Sequence, residues 1–151
     1  MFTLKEAFSM SQSLERFLSP HQEDYSAALE EIRAGRKAGH WMWYIFPQLR
    51  GLGSSTMAWY YGIADLQEAV AYLEHPILGA HLREITEVLL DLPGTDSRDV
   101  FGWPDCLKLC SCMTLFYQAG QEGLFEQVLD KYYQGQQDEK TLELLEIEYV
   151  E

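Results

Sequence analysis

Apolar residues recur at helical spacing along most of this chain, and that pattern constrains its fold most strongly. Tyr25, Ala28, Leu29 and Ile32 stand at positions i, i+3, i+4 and i+7, as one face of an amphipathic helix requires. Only residues 41–46 are short, aromatic and bounded by turn residues, as in a strand. The pattern predicts an all-α, single-domain bundle of roughly six to eight helices, with an irregular aromatic-rich connection.

Capping and turn residues divide the pattern into elements. Ser19 and Pro20 have the types preferred at an N-cap and a first helical position, so they predict a helix start. Asp65 and Glu68 have the spacing of a capping box. Residues 95–102 are predicted to be a polar connector.

The length of 151 residues predicts one domain, spanning residues 1–151. Beyond about residue 120 the chain becomes acidic and still helical in pattern. Residues 120–151 are therefore expected to form an acidic helical extension. Its last helix begins near residue 136 and carries Leu142, Leu145 and Tyr149.

Charge is distributed unevenly, and this bears on partners. The net charge of −13 argues against nucleic-acid or acidic-membrane binding. Residues 32–64 nevertheless contain no acid, while Arg33, Arg36, Lys37 and Arg50 supply four positive charges. A small basic island favours a small anionic ligand, unless these cations simply pair with acidic surface elsewhere.

Targeting and metal signals are absent from the sequence. No apolar run approaches the roughly 18 residues of a membrane span, and no signal peptide is visible, so a cytoplasmic location is expected. Cys106, Cys110 and Cys112 have neither a disulfide nor a usual zinc spacing, which favours reduced, buried thiols. No metal and no cofactor are predicted, and the sequence leaves the oligomeric state open.

The stretch 39–55 is the first candidate site. In it, Arg50, Gly51, Gly53 and Ser54 precede a predicted helix start. Glycines let a backbone approach a ligand, free N–H groups at a helix start attract anions, and an arginine can clamp phosphate or carboxylate. The alternative is an ordinary turn followed by an N-cap.

The same stretch holds polar and aromatic candidates. His40 can act as an acid, a base or a hydrogen-bond donor near neutral pH. Trp41 and Trp43 can stack on a flat ligand, and Gln48 can bind it. The alternatives are a structural histidine and aromatic core packing.

A polar stripe interrupts the apolar segment that begins near residue 105. Asp105, Lys108, Ser111 and Thr114 follow one another at spacings of three, so they share one helix face. An Asp–Lys pair there is a sensible acid/base or substrate-orienting element. A buried network that ties helices together is the alternative.

Several motifs carry a family resemblance. The block HWMWYIFPQLRGLG at residues 40–53, with residues 25–48, 69–82 and 101–116, resembles DUF1810, a bacterial family of unknown function sometimes labelled calpastatin-like. The resemblance covers about residues 17–119. It implies a mostly α-helical single domain and brings no established reaction.

Two hypotheses follow from these residues. The first is a site for a small anionic, nucleotide-like or phosphorylated ligand, with His40, Asp105 and Lys108 as candidate catalytic residues of a hydrolase or glycosidase. The second is a non-catalytic interaction module that uses the Trp-rich loop and the acidic C-terminal helix.

Overall fold

The computed structural model describes residues 3–147, apart from the side chains of residues 7, 8, 10 and 11. Within that range it contains nine helices and no strand, which confirms the all-α class but exceeds the expected count of six to eight. The helices are α1 (Leu4–Arg33), α2 (Met42–Ile45), α3 (Thr56–Tyr60), α4 (Leu66–Glu74), α5 (Leu78–Asp91), α6 (Ser97–Phe101), α7 (Asp105–Gly120), α8 (Gly123–Tyr133) and α9 (Glu139–Leu144). Tyr149, assigned above to the last helix, lies outside the described residues.

Helix α7 is the centre of the bundle. It packs against α4, α6, α8 and α9, while α5 packs against α1, α4 and α8. Leu109, Cys112, Met113, Leu115 and Phe116 are all fully buried, which explains why α7 is apolar nearly all round. In the described part of the chain, no helix has the length and apolar character needed to cross a bilayer.

Helix α1 corrects the predicted helix start at Ser19 and Pro20. It runs through both residues, and its N-cap is Thr3, whose side chain accepts the N–H of Glu6. Proline cannot donate a backbone hydrogen bond, and this normally interrupts a helix. Here Phe17 lies on one side of the proline and is fully buried, and α1 goes on beyond it to bury further core residues, so tertiary packing outweighs the local preference.

Two short helices replace other predicted structures. Residues 41–46, which have the strand-like pattern, contain α2 instead. Residues 95–102, predicted to be a connector, contain α6. The local β pairing that does occur is an isolated parallel bridge between Leu49 and Ile63. Both short helices are below the length at which periodicity is informative.

The predicted capping box at Asp65 forms only in part. The Asp65 side chain accepts the N–H of Glu68 at 2.8 Å, but the Glu68 carboxylate accepts the N–H of Ala64 instead of returning to the cap. The other bonds of that carboxylate go to α1, where Arg16 Nη2 donates to it at 2.8 Å. Both side chains are about nine-tenths buried, so Glu68 joins α1 to α4 through a buried ion pair.

Candidate functional site

Glu31, near the end of α1, organises the first half of the stretch 39–55. Its Oε1 accepts hydrogen bonds from the backbone N–H groups of Ala38 and Gly39 and from Trp41 Nε1, at 2.7, 2.8 and 2.9 Å. Burial alone would raise the pKa of Glu31, but these three donors and the charge of Lys37 lower it below its usual value. Trp41 is only 2% exposed, so it belongs to the core and has no free face for a ligand.

Asp105 forms the predicted pair with Lys108 and a second pair that the sequence did not reveal. Lys108 Nζ lies 3.3 Å from Asp105 Oδ1, while Lys37 Nζ lies 3.0 Å from Oδ2. Lys37 also donates to the carbonyl of Gly39 at 2.6 Å and lies 5.1 Å from the Trp41 ring centroid. Lys37 thus lies between Asp105 and the nearby Glu31 carboxylate, and the two lysines and the two carboxylates balance in charge.

A small crevice opens beside this cluster. Three predicted site residues, Trp43, Gln48 and Lys108, line it together, although they come from three separate parts of the sequence. Its other walls are largely apolar: Met42, Phe46, Ala58, Tyr61 and Gly62. Its volume is about 10 Å³, about the space that one water needs. Trp43, Gln48 and Lys108 are all partly exposed, so a larger ligand can reach them from the surface.

The second half of the stretch packs more tightly than an open anion loop would. Gly53 is required by packing, because a Cβ there would lie 2.6 Å from the Cβ of Ala58. Gly51 has a φ of +104°, which favours glycine. Ser54 is exposed, and Ser55 is the residue that caps α3, through a 3.0 Å bond from the N–H of Ala58.

Arg50 is already engaged within the protein. Its Nε donates to the carbonyl of Trp59 at 2.9 Å, and its guanidinium lies 4.8 Å from the centroid of the Trp59 ring. Its backbone N–H bonds to Ile63 within the β bridge. Arg50 does not line the crevice.

Ser111 and Thr114 both turn their hydroxyl groups back to α7. They donate to the carbonyls of Leu107 and Cys110, at 3.3 and 2.8 Å. Thr114 Oγ1 also accepts the N–H of Asp138 at 2.8 Å. Both residues are buried, and Thr114 joins the start of α9 to the central helix.

His40 is exposed and does not line the crevice. Its backbone carbonyl accepts the hydroxyl of Tyr44 at 3.5 Å. The predicted site residues that lie together are thus Asp105, Lys108, Trp43 and Gln48. The other predicted site residues lie elsewhere.

Sequence reasoning missed Glu31 and Lys37 as parts of this region. In the sequence, Lys37 is only one of four cations in a segment without acids, because its partner Asp105 is remote in sequence. Glu31 falls at the polar side of an amphipathic helix, where an acid is ordinary. No group of three or more histidines, cysteines or carboxylates in the described range is placed to hold a metal ion.

Comparisons with known proteins identify the family of the chain. A solved structure, the conserved hypothetical protein Rv1873 from Mycobacterium tuberculosis, has 49% sequence identity and a TM-score of 0.87, and the match covers 89% of this chain and 97% of that one. No curated protein matches. The family model described as "Protein of unknown function (DUF1810)" matches residues 11–145, so it extends past Gly120 into α8 and α9. The chain belongs to the DUF1810 family.

Proposed function

We propose that the protein binds a small anionic ligand with a planar group at the crevice between Trp43, Gln48 and Lys108. The observation that carries this proposal is that these three residues, chosen from the sequence for their chemistry, line one opening. The side chain of Lys108 is 31% exposed, against 9% for Lys37, so Lys108 is the cation that a ligand meets.

Each lining residue has a distinct part in binding. The Lys108 ammonium offers donors to a phosphate or carboxylate, since Asp105 Oδ1 engages it only at 3.3 Å. Trp43 offers an apolar face to a base or ring, and the Gln48 amide offers both a donor and an acceptor. Because the crevice is small, the body of the ligand lies across its mouth.

The test is calorimetric titration with inorganic phosphate, AMP, ATP, ADP-ribose and a sugar phosphate. Lys108→Ala is expected to weaken binding of the responding ligand about tenfold or more, because a charge-assisted hydrogen bond is worth about 1.5–3 kcal/mol. Lys140→Ala, at an exposed lysine of α9, is the matched control and should leave affinity unchanged. Arg50→Ala should also have little effect, because Trp59 already holds that guanidinium.

Two results would overturn the proposal. One is that no ligand of the panel binds in the millimolar range or below. The other is that a ligand binds equally well to the wild type and to Lys108→Ala. The hydrolase or glycosidase activity stays a prediction, and product analysis of the same mixtures tests it.

The interaction-module alternative has support from a different surface. Trp41 and Trp43, its expected anchors, are buried and partly buried, whereas Trp59 and Trp103 are 60% and 66% exposed. A partner would therefore meet α3 and the segment before α7 instead of the loop 41–46.

A further inference from the structure

A second and larger opening lies between α1, α2 and α3. It is an open cleft of about 490 Å³, within the roughly 300–1,000 Å³ that ligand sites occupy. Aromatic rings from three positions line it: Tyr44 on α2, Tyr60 at the end of α3, and Tyr61 directly after it. Tyr61 makes edge contacts with both of the others, with ring centroids 5.1 Å from Tyr44 and 4.8 Å from Tyr60.

The charged groups of this cleft are mainly acidic. Glu15, Glu23 and Asp24 line it from α1. No lysine or arginine among residues 3–147 lies within ion-pair distance of these three carboxylates. Asp24 accepts a short hydrogen bond from the Tyr44 hydroxyl, which fixes that ring against α1.

Arg16 also lines the cleft, but its charge is already matched. Its guanidinium donates to Glu68 Oε1 at 2.8 Å and to the carbonyls of Tyr60 and Gly62 at 2.8 and 2.9 Å. The side chain is only 10% exposed. It therefore does not neutralise the three carboxylates.

Tyr60 is 53% exposed and can meet a cation, whereas Tyr61 is partly exposed and Tyr44 is buried. Elsewhere in the chain, Arg16, Lys37, Arg50 and Lys131 each lie over an aromatic ring. Those rings are Phe17, Trp41, Trp59 and Tyr132, so within the described residues the three rings of this cleft receive no such cation.

The rim of the cleft exposes aromatic and apolar side chains. Tyr60 is 53% exposed and Met57 39% exposed, which leaves apolar surface at the rim. Burial chiefly raises the pKa of Tyr44, and the Asp24 carboxylate that accepts its hydroxyl raises that pKa further.

From the cleft volume, the three ring walls and the unmatched carboxylates, we propose that this cleft binds an organic cation of the guanidinium or alkylammonium class. The cationic head lies against Tyr60 and Tyr61, where cation–π attraction adds to the carboxylate field. Glu15 and Glu23 hold a second positive charge or the donors of a guanidinium. Such a ligand arises either as a free polyamine-like metabolite or as an arginine or lysine side chain of a protein partner.

The experiment compares probes that separate these two sources. Agmatine and spermidine represent free cations, and the peptide acetyl-Gly-Arg-Gly-amide represents a protein side chain. The same peptide with citrulline in place of arginine is the neutral control of equal shape, and Mg²⁺ tests whether any cation suffices. Binding is measured by calorimetry at low and at physiological ionic strength.

Variants then locate the site. Tyr60→Ala is expected to weaken binding of the responding probe about two- to fivefold, as loss of an exposed cation–π contact implies. Glu23→Gln is expected to weaken it about two- to fivefold, in line with one exposed ion pair. Glu139→Gln, at an exposed acid on α9, should leave the affinity unchanged. Because Tyr60 and Glu23 are exposed, neither change should alter the unfolding midpoint.

The outcomes decide the proposal. Binding of a free amine or of the arginine peptide, lost with citrulline and weakened by Tyr60→Ala, supports it and identifies the source. It is overturned if no organic cation binds, or if Mg²⁺ binds as well as the amines and Tyr60→Ala changes nothing, since the cleft is then only an acidic surface.

Discussion

The buried His21, which is paired with the partly exposed His81, predicts how the stability of this protein depends on pH. His21 of α1 is 2% exposed, and its Nε2 lies 2.7 Å from the carbonyl oxygen of Tyr44. A carbonyl only accepts, so Nε2 carries the proton and Nδ1 accepts from His81 Nδ1, 3.0 Å away. Burial chiefly, and the positive charge of a protonated His81, lower the pKa of His21 from 6.5 to about 4.

Proton linkage gives the sign and the size of the change in stability with pH. The pKa of His21 is 6.5 in the unfolded chain and about 4 in the folded chain, so between these values the unfolded chain binds more protons. The contribution of His21 to stability is complete above pH 6.5 and is lost as the pH falls toward 4. At about 1.4 kcal/mol per pKa unit, the loss is about 3 kcal/mol, of which about 2 kcal/mol falls between pH 7 and pH 5.

Urea unfolding at pH 7 and pH 5 measures this loss. His21→Gln removes the titrating group, so its free energy of unfolding should fall by about 2 kcal/mol less than that of the wild type over this interval. His40→Gln, at an exposed histidine, should follow the wild type. Parallel loss of stability in the wild type and His21→Gln would refute the reasoning.

Two further substitutions test packing and the buried ion pair. Gly53→Ala places a Cβ too close to α3 and should lower the free energy of unfolding by about 1–3 kcal/mol, as measured by thermal unfolding. The control is Gly94→Ala, whose Cβ position has no atom within 4 Å, and it should change stability by less than about 0.5 kcal/mol. A neutral result at Gly53 would mean that the loop shifts freely. Glu68→Gln should lower the free energy of unfolding by about 3 kcal/mol, because it leaves Arg16 buried without its countercharge. Glu143→Gln, on the surface, should have no measurable effect on stability. Equal effects of the two substitutions would contradict the buried pairing.

Helical periodicity predicted the long elements well, for a physical reason. The segment Tyr25–Ile32 repeats an apolar face, and the longer helix α7 is apolar nearly all round, so many residues support each assignment. The short helices α2 and α6 offer no such repetition. The helix start predicted at Pro20 is wrong for the opposite reason. The local signal of the proline is strong, but core contacts on both sides of it keep α1 continuous.

The separation of two residues in the sequence decides whether their contact at the candidate site can be predicted. Asp105 and Lys108 are one helical turn apart, so their pairing is visible from spacing alone. Lys37 reaches the same carboxylate from the α1–α2 connection, which only the fold reveals. Arg50 is predicted to clamp an anion, but in the fold its guanidinium contacts the Trp59 ring and carbonyl.

Helix α3 has no buried residue, yet two arginines fasten its C-terminal end by their side chains. Arg50 bonds to the carbonyl of Trp59, and Arg16 bonds to those of Tyr60 and Gly62. The backbone is therefore held in place while the aromatic side chains remain in solvent. A molecule that binds there meets a preorganised surface, so it loses little of its binding free energy to ordering the protein.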